Sequence, residues 1–193
     1  MSPSLDDLHP AQNRGFRELY AATRHVTDHY RRLAQIFDAE ALHEGAAAAR
    51  RMLDDLQRVT RTYDLHGFPA AQNVGATGTK ALSGVGERFL ERNQALRIAV
   101  LDVQHVVTLL GYLGRLSEAN GNQDLVDFCA SWQQTMRQVE DQMRAAAIEQ
   151  GVRPGEAIRP LHNGVGGRAG HRVQTAIGTV GEWFDRTVAR RRG

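Results

Sequence analysis

The sequence of 193 residues contains only one cysteine, Cys129. No disulfide can therefore form within the chain, and a zinc site built from cysteines is excluded. Lysine is equally scarce, because Lys80 is the only one and the other strongly basic side chains are arginines. The formal net charge is only +2, so this arginine bias reflects composition rather than a large positive field that would attract nucleic acid.

The sequence also lacks long apolar runs. No stretch approaches the roughly 18 apolar residues that suggest a transmembrane helix. The N-terminal sequence MSPSLDDLHPAQNR lacks the charged and then apolar layout of a signal peptide. Hydrophobic residues make up 41% and charged residues 24% of the chain, which is typical of a globular protein. We therefore expect a bacterial, cytoplasmic protein of one domain or at most two small ones, without a transmembrane segment.

What the sequence does contain is helical periodicity. Apolar residues recur at spacings of three, four and seven in long segments, whereas no alternating run of four or more residues indicates a strand. The predicted helices span residues about 11–37, 39–64, 87–117 and 122–150. The fourth has the most regular apolar seam, formed by Leu125, Cys129, Trp132, Met136, Val139 and Met143. We therefore predict that Trp132 and Met136 are buried.

The connections between these helices predict how they are arranged. The breaks FDAE and SEANGNQD are short and therefore favour two antiparallel helical hairpins. The longer connection, at residues about 65–86, can run the full length of a bundle at roughly 3.3 Å per residue. Two hairpins joined by one long crossover form the ferritin-like arrangement of four helices. We therefore predict an all-α, ferritin-like four-helix bundle over residues 11–150, after a flexible N-terminus at residues 1–10.

Two segments carry a family resemblance. RELYAATRHVTDHYRRLAQIFDAEALHEGAAAARRMLDDLQRV resembles the first hairpin of bacterial ferritin-like stress proteins, and GYLGRLSEANGNQDLVDFCASWQQTMRQVEDQM resembles the second. The resemblance implies the same four-helix fold. The family's metal ligands are not retained, because Thr23 stands where the family pattern has a glutamate, and Gln133 and Gln134 stand in place of carboxylates. The resemblance therefore does not predict an intact di-iron site.

A short phrase occurs twice in the chain, as GVGERFLER at residues 84–92 and as TVGEWFDRT at residues 179–187. Each copy follows a glycine-rich stretch, and each glycine-rich stretch follows a predicted hairpin. Aligning the first helix with the third places His25 against His105. This pattern suggests duplication of a hairpin unit, and the alternative is chance similarity between amphipathic helices.

Residues 151–193 are predicted to form a glycine-rich connection followed by an amphipathic C-terminal helix with a basic end. Such a helix completes the core of the bundle, docks on a partner subunit, or contacts anionic lipid or nucleic acid. Completing the core is the simplest interpretation, since arginines at a helix C-terminus interact favourably with the helix dipole without any partner. The residues predicted to make these contacts are Trp183, Phe184, Arg190, Arg191 and Arg192.

Four side chains are candidate metal ligands. His25 and His29 are four residues apart and share one side of the first helix, while Asp102 and His105 are three apart on the third. His105 is predicted to point into the core, because it shares a face with the apolar residues Ile98, Leu101, Leu109, Tyr112 and Leu116. Two imidazoles and a carboxylate suit zinc or another divalent transition metal. The alternative is a buried neutral histidine held by Asp102 or by a backbone carbonyl.

The sequence contains no glycine motif in a nucleotide-binding context and no serine, histidine and acid set that spacing could assemble. We therefore predict a non-enzymatic, oligomeric interaction protein without a cofactor, which binds another copy of itself or another protein. The alternative is a helical bundle that binds a metal or haem through core histidines and acts as an oxidoreductase or in metal handling.

Overall fold

The computed structural model describes residues 8–63 and 90–161. Within these ranges the protein is all-α, as predicted, and its only β-type pairing there is an isolated antiparallel bridge between Glu91 and Pro160. Four long helices are followed by a 3-10 turn and a short helix. They are α1 (Pro10–Ala34), α2 (Glu40–Thr62), α3 (Arg92–Ala119), α4 (Gln123–Glu149), the turn Gln150–Val152 and α5 (Pro154–Ala157).

Local sequence signals explain where these helices begin. Pro10 occupies the first turn of α1, and His9 before it accepts a hydrogen bond from the backbone N–H of Ala11 at 3.2 Å. Asn122 caps α4 in the same way, because its side-chain oxygen accepts from the N–H of Leu125. The preceding Gly121 has a φ of 66°, a left-handed conformation that favours glycine and permits the tight turn from α3.

Antiparallel packing joins α1 to α3 as well as to α2. The Gln12 side chain, near the start of α1, donates a hydrogen bond to Ser117 near the end of α3 at 3.2 Å. Tyr30, near the end of α1, donates from its hydroxyl to the carbonyl of Ala99 near the start of α3 at 2.8 Å. The two helices therefore run in opposite directions along their shared interface.

Two further hydrogen bonds fix the direction of α2 relative to α3. Asn122, between α3 and α4, donates a hydrogen bond to the hydroxyl of Tyr63 at the end of α2. Arg92, the first residue of α3, donates to the carbonyl of Ile36 in the loop between α1 and α2. The end of α2 and the start of α3 thus lie at opposite ends of the bundle. Consequently α2 and α3 run in the same direction.

A single cluster of buried apolar side chains lies between the four long helices. The predicted seam of α4 contributes to it, since Cys129 and Met136 are buried. Burial also raises the pKa of the Cys129 thiol to about 12, which keeps it protonated and inert. The prediction that Trp132 is buried is wrong, because this side chain is only partly buried and packs against the edge of the cluster.

Within the described chain, α3 is long and apolar enough to cross a membrane by length and composition alone. Half of its most apolar window, which has a mean hydropathy of 1.4, is buried against the rest of the protein. The core helix of a helical bundle meets the same two criteria, so this property by itself does not indicate a membrane span.

Several predictions concern parts of the chain outside the described residues. These are most of the flexible N-terminus, the crossover at residues 65–86, most of the first copy of the repeated phrase and all of the second. The predicted C-terminal helix also lies there, with the contact residues Trp183, Phe184, Arg190, Arg191 and Arg192. The short α5 is not that helix, because it ends at Ala157.

At Gly45, α2 packs closely against two other helices. A Cβ atom there would lie 2.7 Å from the Cδ2 and Cε2 atoms of Tyr30 on α1 and 3.0 Å from Cγ1 of Val139 on α4. The Tyr30 ring cannot yield easily, because it is fully buried and its hydroxyl is bonded to Ala99. Three helices therefore meet at a position that only glycine fits.

We predict that Gly45→Ala destabilises the protein relative to Gly114→Ala. Both changes replace a helical glycine, so the gain in helix propensity is similar and cancels in the comparison. At Gly114 a Cβ would make an ordinary contact, 3.4 Å from Cβ of Cys129. Chemical denaturation should therefore show Gly45→Ala to be less stable than Gly114→Ala by about 1–3 kcal/mol, the usual cost of overpacking. Equal stability of the two variants would contradict the close packing of α2 against Tyr30.

Candidate metal centre

The interface between α1 and α3 brings together three of the four predicted ligands. His25 and His29 are one helical turn apart on α1, and Asp102 on α3 faces both of them. One ligand atom from each residue contributes to a group in which all atoms lie within 4.8 Å of one another. We call His25, His29 and Asp102 the histidine–aspartate cluster.

A single carboxylate oxygen contacts both imidazoles. Oδ2 of Asp102 lies 2.7 Å from Nδ1 of His29 and 3.3 Å from Nε2 of His25. The two imidazole rings are 5.5 Å apart between centroids and tilted by 42°, so they approach the carboxylate from different directions. Asp102 therefore links two successive turns of α1 to α3.

The cluster lies at the edge of the core, open on one side. The side chain of His29 is 3% exposed and that of Asp102 is 9% exposed, whereas that of His25 is 27% exposed. Solvent therefore reaches the cluster along His25. On the helices, Val26 and Val103, which follow His25 and Asp102 in sequence, are buried in the core.

The protonation state of Asp102 follows from its surroundings. Burial on its own raises the pKa of this carboxyl group, but the hydrogen bonds and the charges of His25 and His29 more than offset it, so the pKa is lowered. Asp102 is therefore ionised at neutral pH. An ionised carboxylate only accepts hydrogen bonds, so His29 donates its Nδ1 proton to Asp102.

The prediction that His105 points into the core is wrong. Its side chain is 50% exposed, and its Nε2 atom lies 3.3 Å from Oε1 of Glu18 at the surface. Two of the residues expected on the same buried face, Leu101 and Tyr112, are exposed as well. Because α3 is apolar on more than one side, the stripe chosen from the sequence was rotated away from the true core face.

Tyr30 is a neighbour of the cluster that sequence reasoning did not single out. Its ring meets that of His29 edge to face, with 6.5 Å between centroids. Burial, together with the negative charges of Asp102 and Glu140, raises the pKa of its hydroxyl well above the usual value. Tyr30 is therefore a neutral phenol, bonded to the Ala99 carbonyl, that covers one side of His29. A tyrosine within an apolar stripe gives no sequence signal for this role.

The donor atoms of the cluster suit a metal ion. Zinc binds imidazole nitrogen and carboxylate oxygen at about 2.0–2.2 Å, which places neighbouring ligand atoms of a tetrahedral site roughly 3.3 Å apart. The distance from His25 to Asp102 already has this value, at 3.3 Å. The distance from His29 to Asp102 is shorter, at 2.7 Å, because a proton lies between these atoms. Metal binding would remove that proton and widen the contact by about 0.6 Å.

The ligand positions of the ferritin-like resemblance have other roles. Thr23 is buried and donates a hydrogen bond from its hydroxyl to the Leu19 carbonyl at 2.7 Å, while Gln133 donates to the carbonyl of Val107 at 3.2 Å. The Gln134 side chain is exposed. Comparison of the chain with protein-family models, with curated proteins and with solved structures finds no match.

We predict that Asp102→Asn removes part of the acid dependence of stability. The lowered pKa means that ionised Asp102 stabilises the folded state above its ordinary pKa of 3.8, and that this contribution is lost as the pH falls through the lower folded-state value. At neutral pH the variant should be about 1.5–3 kcal/mol less stable, the usual size of a hydrogen bond to a charged group.

Urea denaturation of the wild type and of Asp102→Asn at a series of pH values tests this. The difference between the two free energies of unfolding should be constant at neutral pH and should shrink below about pH 3.8. A difference that stays constant down to the pH of acid unfolding would mean that the pKa of Asp102 is not lowered in the folded protein.

Proposed function

We propose that this protein binds a divalent transition metal ion through His25, His29 and Asp102. The observation that supports the proposal is the convergence of two imidazoles and one carboxylate, from two helices, on a space in which all three ligand atoms lie within 4.8 Å. Imidazole favours zinc, copper, iron and nickel, and two histidines with one carboxylate form a common site for non-haem iron. A role in metal handling or in oxidoreductase chemistry follows as a proposal. Haem as an alternative ligand stays a prediction.

The electrostatics of the site favour a cation. Asp102 carries a negative charge in a setting where it is 9% exposed, and its lowered pKa keeps that charge at neutral pH. Without a metal, the imidazoles of His25 and His29 hold the carboxylate through hydrogen bonds. Because a metal ion must displace the proton on Nδ1 of His29, its affinity should fall as the pH is lowered.

The fold proposed for this site is the ferritin-like bundle. Two observations support it: α2 and α3 run in the same direction, and α1 packs antiparallel to α3 as well as to α2. The proposed metal site differs from the di-metal site of that family, which uses glutamates and Glu-x-x-His motifs from all four helices. Here the ligands come from α1 and α3 alone.

Thermal unfolding of the full chain, purified without a histidine tag, tests the proposal. A metal ion that binds only the folded state should stabilise it by about 2.7 kcal/mol at a hundredfold excess over its Kd. We expect Zn²⁺, Co²⁺ or Fe²⁺ to raise the Tm of the wild type, and His29→Ala to abolish the increase.

The matched control is His105→Ala. His105 lies on α3, three residues from Asp102, but it is half-exposed and pairs with Glu18. Its removal should leave the metal-dependent increase in Tm intact. The proposal would be refuted by the absence of an increase with any of the three ions in the wild type, or by an increase that survives in His29→Ala.

A role in self-association is a second proposal. It is supported by five large apolar side chains that are exposed in the described part of the protein: Leu101, Tyr112, Ile148, Val152 and Ile158. Ile148 and Val152 are each 70% exposed and are separated by one helical turn. Association of two copies would remove the apolar surface of such side chains from water. Cytoplasmic location, and contact with nucleic acid or anionic membranes through the C-terminal segment, stay predictions.

We expect the chain to be oligomeric at micromolar concentration. The double change Ile148→Ser and Val152→Ser should shift it toward the monomer, because both replaced side chains are exposed apolar groups. Light scattering after gel filtration gives the mass directly. Circular dichroism of the variant provides the control, since removing exposed side chains should not change its helix content. A monomeric wild type would contradict self-association.

A further inference from the structure

The histidine–aspartate cluster leaves a bound metal incompletely coordinated. It supplies three ligand atoms, and no further histidine, cysteine, aspartate or glutamate of residues 8–63 and 90–161 joins the group. Zinc is almost always four-coordinate, and iron or cobalt bound by two histidines and one carboxylate keeps open positions. At least one coordination position is therefore left for a ligand that the described helices do not provide.

Neighbouring polar groups are committed elsewhere. The hydroxyl of Tyr30 donates to the carbonyl of Ala99 at 2.8 Å. His105 and Glu18, beyond the cluster along the same two helices, pair with each other at 3.3 Å. Thr27 donates its hydroxyl to the carbonyl of Thr23 at 2.9 Å. None of these side chains is held in position to complete the coordination.

The open coordination position of a bound metal would be accessible from one side, and the side chains around it would restrict the size of its ligand. His29 and Asp102 are nearly buried, and the ring of Tyr30 covers one side of His29, whereas His25 is 27% exposed. A ligand from solvent must therefore approach along His25 and enter a space lined by two buried donors. Because two of the three metal-binding side chains are almost buried, we expect only a ligand of a few atoms to reach a metal ion there.

We infer that the metal site binds a small exogenous ligand, of the size of water or a linear three-atom anion, directly to the metal on the side of His25. This inference rests on the proposed metal binding. The bound metal would hold the ligand as a Lewis acid and lower the pKa of a coordinated water molecule. An alternative is that a side chain from residues 64–89 or 162–193 completes the coordination, in which case no exogenous ligand binds.

Cobalt provides the probe, because its visible absorption depends on coordination number and ligand type. The full-length, untagged protein is loaded with Co²⁺ and titrated with azide and, in parallel, with benzoate. Both are monoanions, so they match in charge and differ in size and shape. We expect azide to shift the visible bands in a saturable way with one azide per metal, and benzoate to leave the bands unchanged.

The outcomes separate the inference from the proposal on which it rests. If no cobalt spectrum develops, the inference fails together with cobalt binding, and thermal unfolding with Zn²⁺ and Fe²⁺ decides whether metal binding fails as a whole. If the spectrum develops but azide leaves it unchanged, metal binding stands and the open position is refuted. A shift with benzoate as large as that with azide would refute the size limit.

The variant His105→Ala tests where the metal that responds to azide is bound. The azide shift should be retained in His105→Ala, since His105 and Glu18 form a separate surface pair. Loss of the shift in His105→Ala would place the responding metal at that pair and overturn the inference. Reduced cobalt binding in His29→Ala, with His105→Ala unaffected, is the expected pattern.

Discussion

The carboxylate of Asp102, held between two imidazoles, is the interaction on which the interface between α1 and α3 depends. A buried carboxylate is costly unless it is fully hydrogen-bonded. Here His29 contacts Oδ2 at 2.7 Å and His25 contacts the same atom at 3.3 Å. Because the two donors lie on successive turns of α1, sliding either helix by one turn would leave the carboxylate with at most one of its two histidine partners. The polar contact therefore fixes the register of two helices whose remaining contacts are largely apolar and non-directional.

Other parts of the bundle follow from this register. The hydrogen bond from Tyr30 to Ala99 forms one turn beyond the cluster, and the bond from Gln12 to Ser117 forms near the opposite end of α1. Placing Tyr30 at this depth brings its ring against α2, where only Gly45 leaves enough space. The histidine–aspartate cluster, the α1–α3 interface and the close approach of α2 thus all involve the Tyr30 side chain.

The sequence predicts the helices well, because their apolar spacing and short connecting turns are local properties. The sequence also predicts that His25 and His29 lie together, since a spacing of four places two side chains on one side of a helix. It does not predict the rotation of α3, because an apolar helix has several stripes that could face the core. Leu101 and Tyr112 were assigned to the buried side and are exposed, and His105 was misplaced with them. The role of Tyr30 depends on a backbone carbonyl of another helix, for which no sequence pattern exists.

If the two hairpins arose by duplication, as the sequence pattern suggests, the duplication would not produce two equivalent histidine–aspartate clusters. At the offset of 80 that pairs His25 with His105, Asp102 corresponds to Ala22, and His29 corresponds to Leu109. Leu109 is buried, so the second position keeps one of three ligands and is otherwise apolar. His105 instead contacts Glu18, and both side chains are about half-exposed. A buried carboxylate with two donors therefore arises only where α1 contributes the histidines and α3 the aspartate. If the two hairpins share an origin, the cluster depends on residues that differ between them.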